Sequence, residues 1–395
     1  MRSRISRGTV AAGAGLVSCA LVLSACGSSG SSGGSEDDTV RVGLLLSLSG
    51  PAADFGTSER NGATVVLDKL NADGGVDGRT IEYVIADDKS DPTEATKQFR
   101  KLVTEEEVSV VIGPTVSAST LAIGPLAQSS EVPLLALNGT IAVTSKDNDF
   151  YPWIFRGAPS DLITAEKMFD QVVSEGHRRI AIYAEETGYG DDVLKYLESL
   201  ADEAKEEGVE IVVTTRSAAD ATDLSAQATK IRQADPDVVL VLANPPALGA
   251  ALVRAIRQGS DVPVWGPMGL AQNTFLEAAG PAGEGLHAMA LANWDNPSDS
   301  EAELAELLEA EGFEPASFEV AGSNGAQAIE AALKKIGDGE VTGSSMRDAL
   351  ETICDVPTYS YGDGLCYSKD NHDGFGTDAV RMVVVENGAF VDYRP

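Results

Sequence analysis

Polar side chains follow two apolar runs near the middle of the chain, and their types suit them to bind a small anion. Ser117 follows the run at 108–112, and Asn138 and Thr140 follow the run at 132–137. Short aliphatic or β-branched runs that stop at small polar residues are typical of buried parallel strands that end in loops. Because open parallel sheets bind ligands just outside the carboxyl ends of their strands, these side chains are predicted to face one cleft.

The chemistry predicted for this cleft is recognition of a carboxylate or another anion. If Ser117 begins a helix, its hydroxyl and the free backbone N–H groups of the first turn can donate hydrogen bonds to an anion. The hydroxyl of Ser119 is expected to face the same cleft. The alternative is that Ser117 and Thr140 only cap helices, since loop hydroxyls are commonly used in that way.

Motifs for catalysis are missing from the sequence. It contains no His-Glu-x-x-His, no Gly-Lys-Ser/Thr phosphate loop and no Gly-x-Ser-x-Gly elbow between a predicted strand and a helix. No Gly-x-Gly-x-x-Gly follows a strand, and the three histidines are far apart. The sequence therefore favours a binding protein over an enzyme, and neither a metal ion nor another cofactor is predicted.

The elements that would position the cleft alternate between strands and helices. This alternation predicts an α/β fold of doubly wound parallel sheets, and a division near Gly157 separates it into two lobes of similar design. The predicted strands, besides the two runs above, are 40–46, 81–86, 180–184, 209–214, 238–242 and 262–265, and the predicted helices are 56–71, 92–106, 189–207, 223–233 and 247–258.

The regular alternation of strands and helices ends after residue 286. Helices are predicted at 300–311, 315–336 and 344–353, followed by a strand at 380–386. Too few strands remain for a third domain with its own parallel sheet. We therefore expect these helices to return to the first lobe and cover it.

The first 25 residues have the order of a secretory signal peptide. Three arginines among the first seven residues precede an apolar run of small residues, which ends with Leu-Ser-Ala-Cys at positions 23–26. This ending resembles the lipobox of bacterial lipoproteins, which implies cleavage before Cys26 and attachment of lipid to its thiol. Ordinary cleavage that leaves a free Cys26 thiol is the alternative.

Residues 26–38 are predicted to form the lipidated end and a flexible tether, because positions 27–35 contain only Gly and Ser. We therefore expect an exported protein anchored by lipid to the outer face of the cell membrane. The formal net charge is −32, and removal of the three arginines of the signal peptide makes it about −35. So acidic a surface repels nucleic acid, which is therefore not an expected partner.

Two cysteines remain in the folded part of the chain. Cys354 and Cys366 are twelve positions apart in a protein predicted to be exported, so a disulfide that closes a surface loop is expected. Two free thiols are the alternative.

The motifs of the folded part resemble those of type I periplasmic solute-binding proteins of the branched-chain amino-acid type, the receptors of ABC importers. The resemblance extends from about residue 40 to the C-terminus. It rests on Ser49-Gly50-Pro51 with Phe55-Gly56, the helix end Asn71-Ala72-Asp73-Gly74-Gly75, Asp87-Asp88 with Asp91-Pro92, the loop at 113–120, Tyr189-Gly190 and Trp265-Gly266-Pro267.

This resemblance implies two Rossmann-like lobes joined by a hinge of three crossings, with the ligand enclosed between them. Lobe 1 would comprise residues 39–157 and 287–373, and lobe 2 would comprise residues 158–286 and 374–395. It further implies a monomer that delivers its ligand to an ABC permease in the membrane.

The resemblance also implies roles for individual residues. Ser117 would hold the ligand carboxylate together with Thr140, and the backbone carbonyl of Asn138 would receive the ligand ammonium. Tyr189 would cover the ligand from lobe 2, and Phe55 would form part of the lobe 1 wall.

Two expected ligand-binding positions depart from the family pattern. Met268 stands where amino-acid-binding members carry an acidic residue that faces the ammonium, and Asn244 stands where they often carry tyrosine. A buried ammonium without a counter-charge is strongly destabilising. The predicted ligand is therefore a small carboxylate-bearing solute, either an amino acid or an acid without the amino group. Asp295 and Glu186 are alternative sources of the missing charge.

Two functional hypotheses follow from these features. The first is a lipid-anchored receptor that captures the solute for uptake. The second is a sensing module built from the same lobes, which would signal to a membrane partner without transport. An exported hydrolase is disfavoured, because the sequence offers no nucleophile with a base.

Overall fold

The computed structural model describes residues 39–362 and 364–394. The predicted signal peptide, the lipidation site at Cys26 and the tether therefore lie outside the described residues. Within the described ranges, every helix is too short or too polar to cross a membrane.

The described chain alternates between strands and helices along most of its length. Its strands are β1 (Thr39–Leu46), β2 (Thr80–Asp87), β3 (Val110–Ile112), β4 (Leu134–Ala136), β5 (Ile154–Arg156), β6 (Arg179–Glu185), β7 (Glu210–Ser217), β8 (Val238–Leu242), β9 (Val264–Gly266), β10 (Leu286–Ala290), β11 (Arg381–Glu386) and β12 (Ala389–Asp392). Its helices are α1 (Ala53–Ala72), α2 (Pro92–Thr104), α3 (Ser117–Ser130), α4 (Asp161–Ser174), α5 (Gly188–Glu203), α6 (Ser225–Ala234), α7 (Pro246–Arg257), α8 (Asn273–Ala279), α9 (Asp299–Ala310), α10 (Glu319–Ile336) and α11 (Gly343–Leu350).

The first lobe is built on a parallel sheet with the strand order β2-β1-β3-β4-β5. Its central strands β3 and β4 are buried along their whole length, since helices cover both faces of the sheet. One face of α1 is apolar and packed inside the lobe, since Ala63, Val66 and Leu67 are buried.

The second lobe is built on a sheet with the strand order β12-β11-β10-β9-β8-β6-β7. Strands β6 to β10 run parallel, whereas β11 and β12 form an antiparallel hairpin at the edge. Two doubly wound sheets of mostly parallel strands confirm the predicted α/β fold.

The chain crosses between the two sheets three times: after β5, after β10 and before β11. The boundary predicted between residues 286 and 287 is wrong, because it divides β10. His287 pairs with Trp265 of β9 and with Val384 of β11, so β10 belongs to the second sheet and the crossing follows Ala290.

The C-terminal helices return to the first lobe, as the sequence predicted, and α10 packs along α1. Glycines make this packing unusually close. A Cβ atom at Gly62 would lie 1.8 Å from the carbonyl oxygen of Glu319, and one at Gly322 would lie 1.9 Å from the carbonyl oxygen of Glu59. Helix α10 begins at Glu319 instead of 315, which leaves Phe318 just before its first turn.

The segment between α11 and β11 carries the predicted disulfide, and the structure confirms that Cys354 is joined to Cys366. This segment docks on the first lobe through His372, which is 1% exposed. The His372 ring stacks on Tyr151 at 4.2 Å and on Phe155 at 4.1 Å between ring centroids. The disulfide therefore belongs to the first-lobe packing.

Candidate functional site

A cavity of about 360 Å³ lies at the carboxyl ends of both sheets. In each sheet the strand order reverses at one point, between β1 and β3 in the first lobe and between β6 and β8 in the second. Loops that leave a sheet at such a point diverge and leave a crevice, which explains why the cavity forms there. All the residues predicted to bind ligand line this cavity: Phe55, Ser117, Asn138, Thr140, Tyr189, Asn244 and Met268.

The loop after β3 directs the start of α3 into the cavity. Gly113 has a φ of +108°, and a Cβ atom there would lie 2.0 Å from the carbonyl oxygen of Leu45. Only glycine therefore allows the turn by which the loop leaves the sheet. Four residues later, Ser117 is the first residue of α3.

The hydroxyls of Ser117 and Thr140 do not cap helices, so the alternative raised from the sequence is wrong. The capping position of α3 is Val116, whose side chain cannot accept a hydrogen bond. Thr140 precedes the short helical turn Ile141–Thr144 without capping it through its side chain. Within the described part of the chain, the Ser117 hydroxyl has no hydrogen-bond partner, and the first amides of α3 are left without a side-chain cap.

Arg156 fixes the loop that carries Asn138 and Thr140. This arginine is 0% exposed. It donates to the carbonyl oxygen of Asn138 at 2.7 Å and to that of Thr140 at 3.1 Å. The Asn138 carbonyl, predicted to receive an ammonium, is thus already bound to a cation, although one of its lone pairs remains available.

Two carboxyl groups from the second lobe line the cavity, and sequence analysis did not propose either of them. They belong to Asp161, the first residue of α4, and Glu185, the last residue of β6. The Thr187 hydroxyl donates to Glu185 Oε1 at 2.8 Å, and the Asn244 backbone N–H donates to Glu185 Oε2 at 3.2 Å. Asn244 therefore positions an acid in addition to lining the cavity.

Asp161 joins the start of α4 to the first-lobe loop. Its backbone N–H donates to the carbonyl oxygen of Gly139 at 2.8 Å. A Cβ atom at Gly139 would lie 2.2 Å from Asp161 Oδ1, so glycine is needed for this approach. Burial raises the pKa of Asp161 to about 7, with a further contribution from Glu185, while Arg156 and a hydrogen bond with the Thr140 side chain act in the opposite direction. Burial also raises the pKa of Glu185.

Other predicted contributors lie elsewhere. Glu186 is exposed and lies outside the cavity lining, and Asp295 is exposed and lines a different cavity. Neither therefore supplies the charge that Met268 lacks. Ser119 is 0% exposed and lies outside the cavity lining, so its predicted place in the cleft is wrong.

The remaining wall of the cavity is apolar. Met268 is 6% exposed and lies in a short helical turn after β9. Phe318 packs against Phe55 with 4.8 Å between ring centroids, and Leu137 lines the cavity beside Asn138. Sequence analysis missed Phe318, because it was placed inside a helix instead of in the segment that approaches the cleft.

Comparison with known proteins agrees with this architecture. A family model described as periplasmic binding protein matches residues 39–389. The leucine-, isoleucine-, valine-, threonine- and alanine-binding protein of Pseudomonas aeruginosa is 27% identical over 252 residues, which cover 63% of this chain and 65% of that protein. The match thus spans slightly less than two thirds of that relative. A leucine-specific binding protein of Salmonella typhimurium is 27% identical over 285 residues, 71% of this chain and 75% of the relative.

Solved structures show the same fold. An extracellular ligand-binding receptor from Rhodopseudomonas palustris HaA2 has a TM-score of 0.76 at 24% identity, and the alignment covers 90% of this chain and 99% of that one. A branched-chain amino-acid transporter substrate-binding protein from Streptococcus pneumoniae, solved with isoleucine, has a TM-score of 0.75 at 24% identity over 90% and 100% of the chains.

These matches confirm the type I periplasmic fold that the sequence motifs indicated. The named relatives are binding proteins, which also confirms the prediction that the chain is not an enzyme. Two lobes, a cavity at both switch points and a family match over nearly the whole described chain lead to one conclusion: the chain belongs to the periplasmic binding protein family.

Proposed function

We propose that this protein is the receptor of an ABC importer for a small α-amino acid, which it encloses between its lobes and delivers to a membrane permease. One observation carries the proposal. The cavity has hydrogen-bond donors on its first-lobe side and two carboxyl groups on its second-lobe side, Asp161 and Glu185. A zwitterion presents the complementary pair of charges.

The ligand carboxylate is assigned to the first lobe. Ser117 offers a free hydroxyl and the uncapped first turn of α3 offers backbone N–H groups, whereas the hydroxyl of Thr140 is already hydrogen-bonded to the Asp161 carboxyl group. Helix amino termini favour anions, because their N–H groups and the helix dipole point at the bound charge. Within the cavity lining, these are the groups best suited to hold a carboxylate.

The ligand ammonium is assigned to Asp161 and Glu185. These carboxyl groups supply the counter-charge that Met268 does not. The cavity therefore has acidic groups at other positions than the one at 268 that the family pattern implied. This favours an α-amino acid over an acid without the amino group, because two desolvated carboxylates would repel a ligand that carries only negative charge. Tyr189 from the second lobe covers the same part of the cavity.

The ligand side chain is assigned to the apolar wall formed by Phe55, Leu137, Met268 and Phe318. Aliphatic side chains suit such a wall, since burial of their carbon atoms is favourable by roughly 25 cal/mol per Å². The relatives named above bind leucine, isoleucine and valine, which supports the same class of ligand for this chain.

The location is proposed from the part of the sequence that precedes the described residues. The arginines, the apolar run and the Leu-Ser-Ala-Cys ending at 23–26 support export and lipidation of Cys26. Lipid at this position would hold the receptor beside its permease. In cells fed a radioactive fatty acid, label is expected on the wild-type protein and not on the C26S variant. Equal labelling would contradict the anchor.

Isothermal titration of the purified protein with each of the twenty amino acids tests the proposed ligand class. Aliphatic amino acids are expected to bind most tightly. Binding should weaken when Ser117 or Asp161 is replaced, because these residues hold the two charged groups shared by all the candidates. The proposal would be contradicted if none of the amino acids bound, or if a charged sugar bound tightly instead.

A further inference from the structure

Glu59 is a buried acid behind the first-lobe side of the cavity. It follows Phe55 by one turn of α1, and both residues border the cavity, but Glu59 is 0% exposed. The ligand assignments above give it no role. A fully buried carboxyl group at the edge of a binding cavity is destabilising unless hydrogen bonds or a proton compensate it.

A short series of hydrogen bonds connects Glu59 to the loop that carries Ser117. The Thr115 hydroxyl donates to Glu59 Oε2 at 2.5 Å and accepts the backbone N–H of Ser47 at 3.1 Å. Thr115 is two residues before Ser117 and borders the same cavity. The hydrogen bond that Glu59 accepts from Thr115, together with the one that Thr115 accepts from Ser47, therefore fixes the position of the loop relative to α1 and β1.

The other groups that face Glu59 are acidic. They are Asp88, just after β2, and Glu319, at the start of α10. The Ser47 hydroxyl donates to Asp88 Oδ1 at 2.6 Å, so Asp88 belongs to the same network. Within the described part of the chain, Glu59 forms no ion pair, and its Oε1 has no hydrogen-bond partner.

Burial, with the nearby Asp88 and Glu319, raises the pKa of Glu59 to about 8, against the effect of the Thr115 hydrogen bond. At neutral pH the side chain is therefore mostly a neutral carboxylic acid. A neutral acid can accept the Thr115 hydroxyl through Oε2 without placing an anion beside the carboxylate site.

We propose that Glu59 is a positioning residue for the carboxylate-binding loop and that it acts in its protonated form, so that loss of its proton weakens ligand binding. Ionised Glu59 would add negative charge between two other acids and close to the ligand carboxylate. The inference rests on the proposed function only in assigning that carboxylate to Ser117.

The direction of the pH effect follows from the charges. Binding of a carboxylate favours neutral Glu59, so affinity is highest below the pKa of Glu59 and falls as the pH rises above it, by at most tenfold per pH unit. Asp161 has the opposite effect, because an ammonium requires its ionised form. The two acids therefore act on opposite sides of neutral pH.

Titration of the protein with L-leucine between pH 6 and 9.5 tests the proposal. Replacement of Glu59 by alanine is expected to weaken binding at pH 7 by about tenfold, and E59Q, which retains a neutral amide that can accept from Thr115, should restore most of it. E59Q should also lose the part of the alkaline decrease that is due to Glu59, while the titration of the leucine ammonium remains the same in both proteins.

The matched control is E319Q, which removes an acid of the same cluster that does not bond to Thr115. Because Glu319 helps to raise the pKa of Glu59, E319Q should move the alkaline decrease to lower pH without abolishing it. An unchanged alkaline decrease in E59Q, or unchanged affinity in both E59A and T115V, would overturn the proposal.

A measurement without ligand keeps the inference separate from the proposed ligand class. Hydrogen exchange of the amides at 113 and 115–119 is expected to be faster in T115V and E59A than in E59Q and the wild type at pH 7, with the melting temperature as a control for global stability. Equal protection in all four proteins would contradict a positioning role, whether or not leucine binds.

Discussion

The two walls of the cavity differ in the charge they can accept. The first-lobe wall offers the Ser117 hydroxyl and helix N–H groups, and the buried cation Arg156 lies behind its loop. The second-lobe wall offers the carboxyl groups of Asp161 and Glu185 beside the Tyr189 ring. The proposed ligand-binding groups are thus divided by charge between the two lobes.

This difference teaches how one cleft can select a zwitterion. A ligand that satisfies only one wall gains contacts with one lobe, so it gives little preference for a closed arrangement of both. A zwitterion satisfies both walls at once, and each wall then contributes to closure. In a hinged binding protein, the contacts that recognise the ligand are then also the contacts that stabilise the closed state.

The largest expected effect comes from removing the charge of the second wall. D161N should weaken leucine binding by about 100-fold, roughly 3 kcal/mol, because it removes one of the two counter-charges of a buried ammonium. Isothermal titration measures the change. D295N is the matched control, since Asp295 is exposed and lines a different cavity. If the two variants had equal effects, Asp161 would not be part of the binding site.

Neighbouring residues at the end of β6 provide a sharper form of the same comparison. E185Q is expected to weaken leucine binding by about tenfold, because the second carboxylate lies close to the proposed ammonium position. E186Q should leave the dissociation constant unchanged, since Glu186 is exposed outside the cavity. A loss in E186Q alone would show that the strand end is rotated relative to this structure.

The first wall is expected to give an effect no larger than that of D161N. S117A should weaken binding by about 1–3 kcal/mol, because it removes one hydrogen bond to a charged group while the helix N–H groups remain. S119A is the control, since Ser119 lies outside the cavity lining. If S119A and S117A weakened binding equally, the carboxylate would not be held where we place it.

The pH dependence of binding should distinguish the contributions of the two walls in the wild-type protein, without any substitution. Asp161 must be ionised to bind an ammonium, and its pKa is raised to about 7 by burial. Leucine affinity is therefore expected to fall as the pH decreases from 7 to 5, by at most tenfold per unit, and binding near pH 6, where Glu59 stays protonated, should release protons. Titration in buffers of different ionisation enthalpy measures that release. Proton uptake would contradict the assignment.

The disulfide should have no effect on ligand binding by either wall of the cavity. Replacement of both Cys354 and Cys366 by serine is expected to lower the free energy of unfolding by about 3 kcal/mol, because the disulfide limits the conformations of a loop of roughly a dozen residues in the unfolded chain. The leucine dissociation constant should stay within twofold, since the disulfide segment packs on the first lobe through His372, away from the cavity. A large change in affinity would show that this segment reaches the site.

The polar residues of the first wall could be predicted from the sequence, whereas the carboxyl groups of the second wall could not. Ser117 and Thr140 follow apolar strands at a switch point, and general rules for parallel sheets place such residues at a cleft. The hydroxyls could therefore be assigned to the cavity before the structure was known.

Asp161 was missed because α4 was not predicted, although the signals for that helix are present. Ser160 caps it through its side chain, and the buried Thr164, Ala165, Met168, Phe169 and Val172 form one helical face. A helix that begins beside the division between the lobes would have placed Asp161 at the cleft.

Glu185 could not be distinguished from Glu186 by pattern. Strand β6 is buried on both faces, so its sequence does not alternate between apolar and polar residues, and nothing local shows which glutamate faces the cavity. The short β5 was also missed, as was the second crossing after Ala290, because β10 continues directly into the connecting segment.

The most direct test of the account is one paired titration of the wild-type protein, with L-leucine and with 4-methyl-2-oxopentanoate, which replaces the amino group by a keto oxygen. The divided walls predict that leucine binds at least about 100-fold more tightly, since only leucine satisfies Asp161 and Glu185. Equal binding, or tighter binding of the keto acid, would contradict the central claim that the second wall recognises an ammonium.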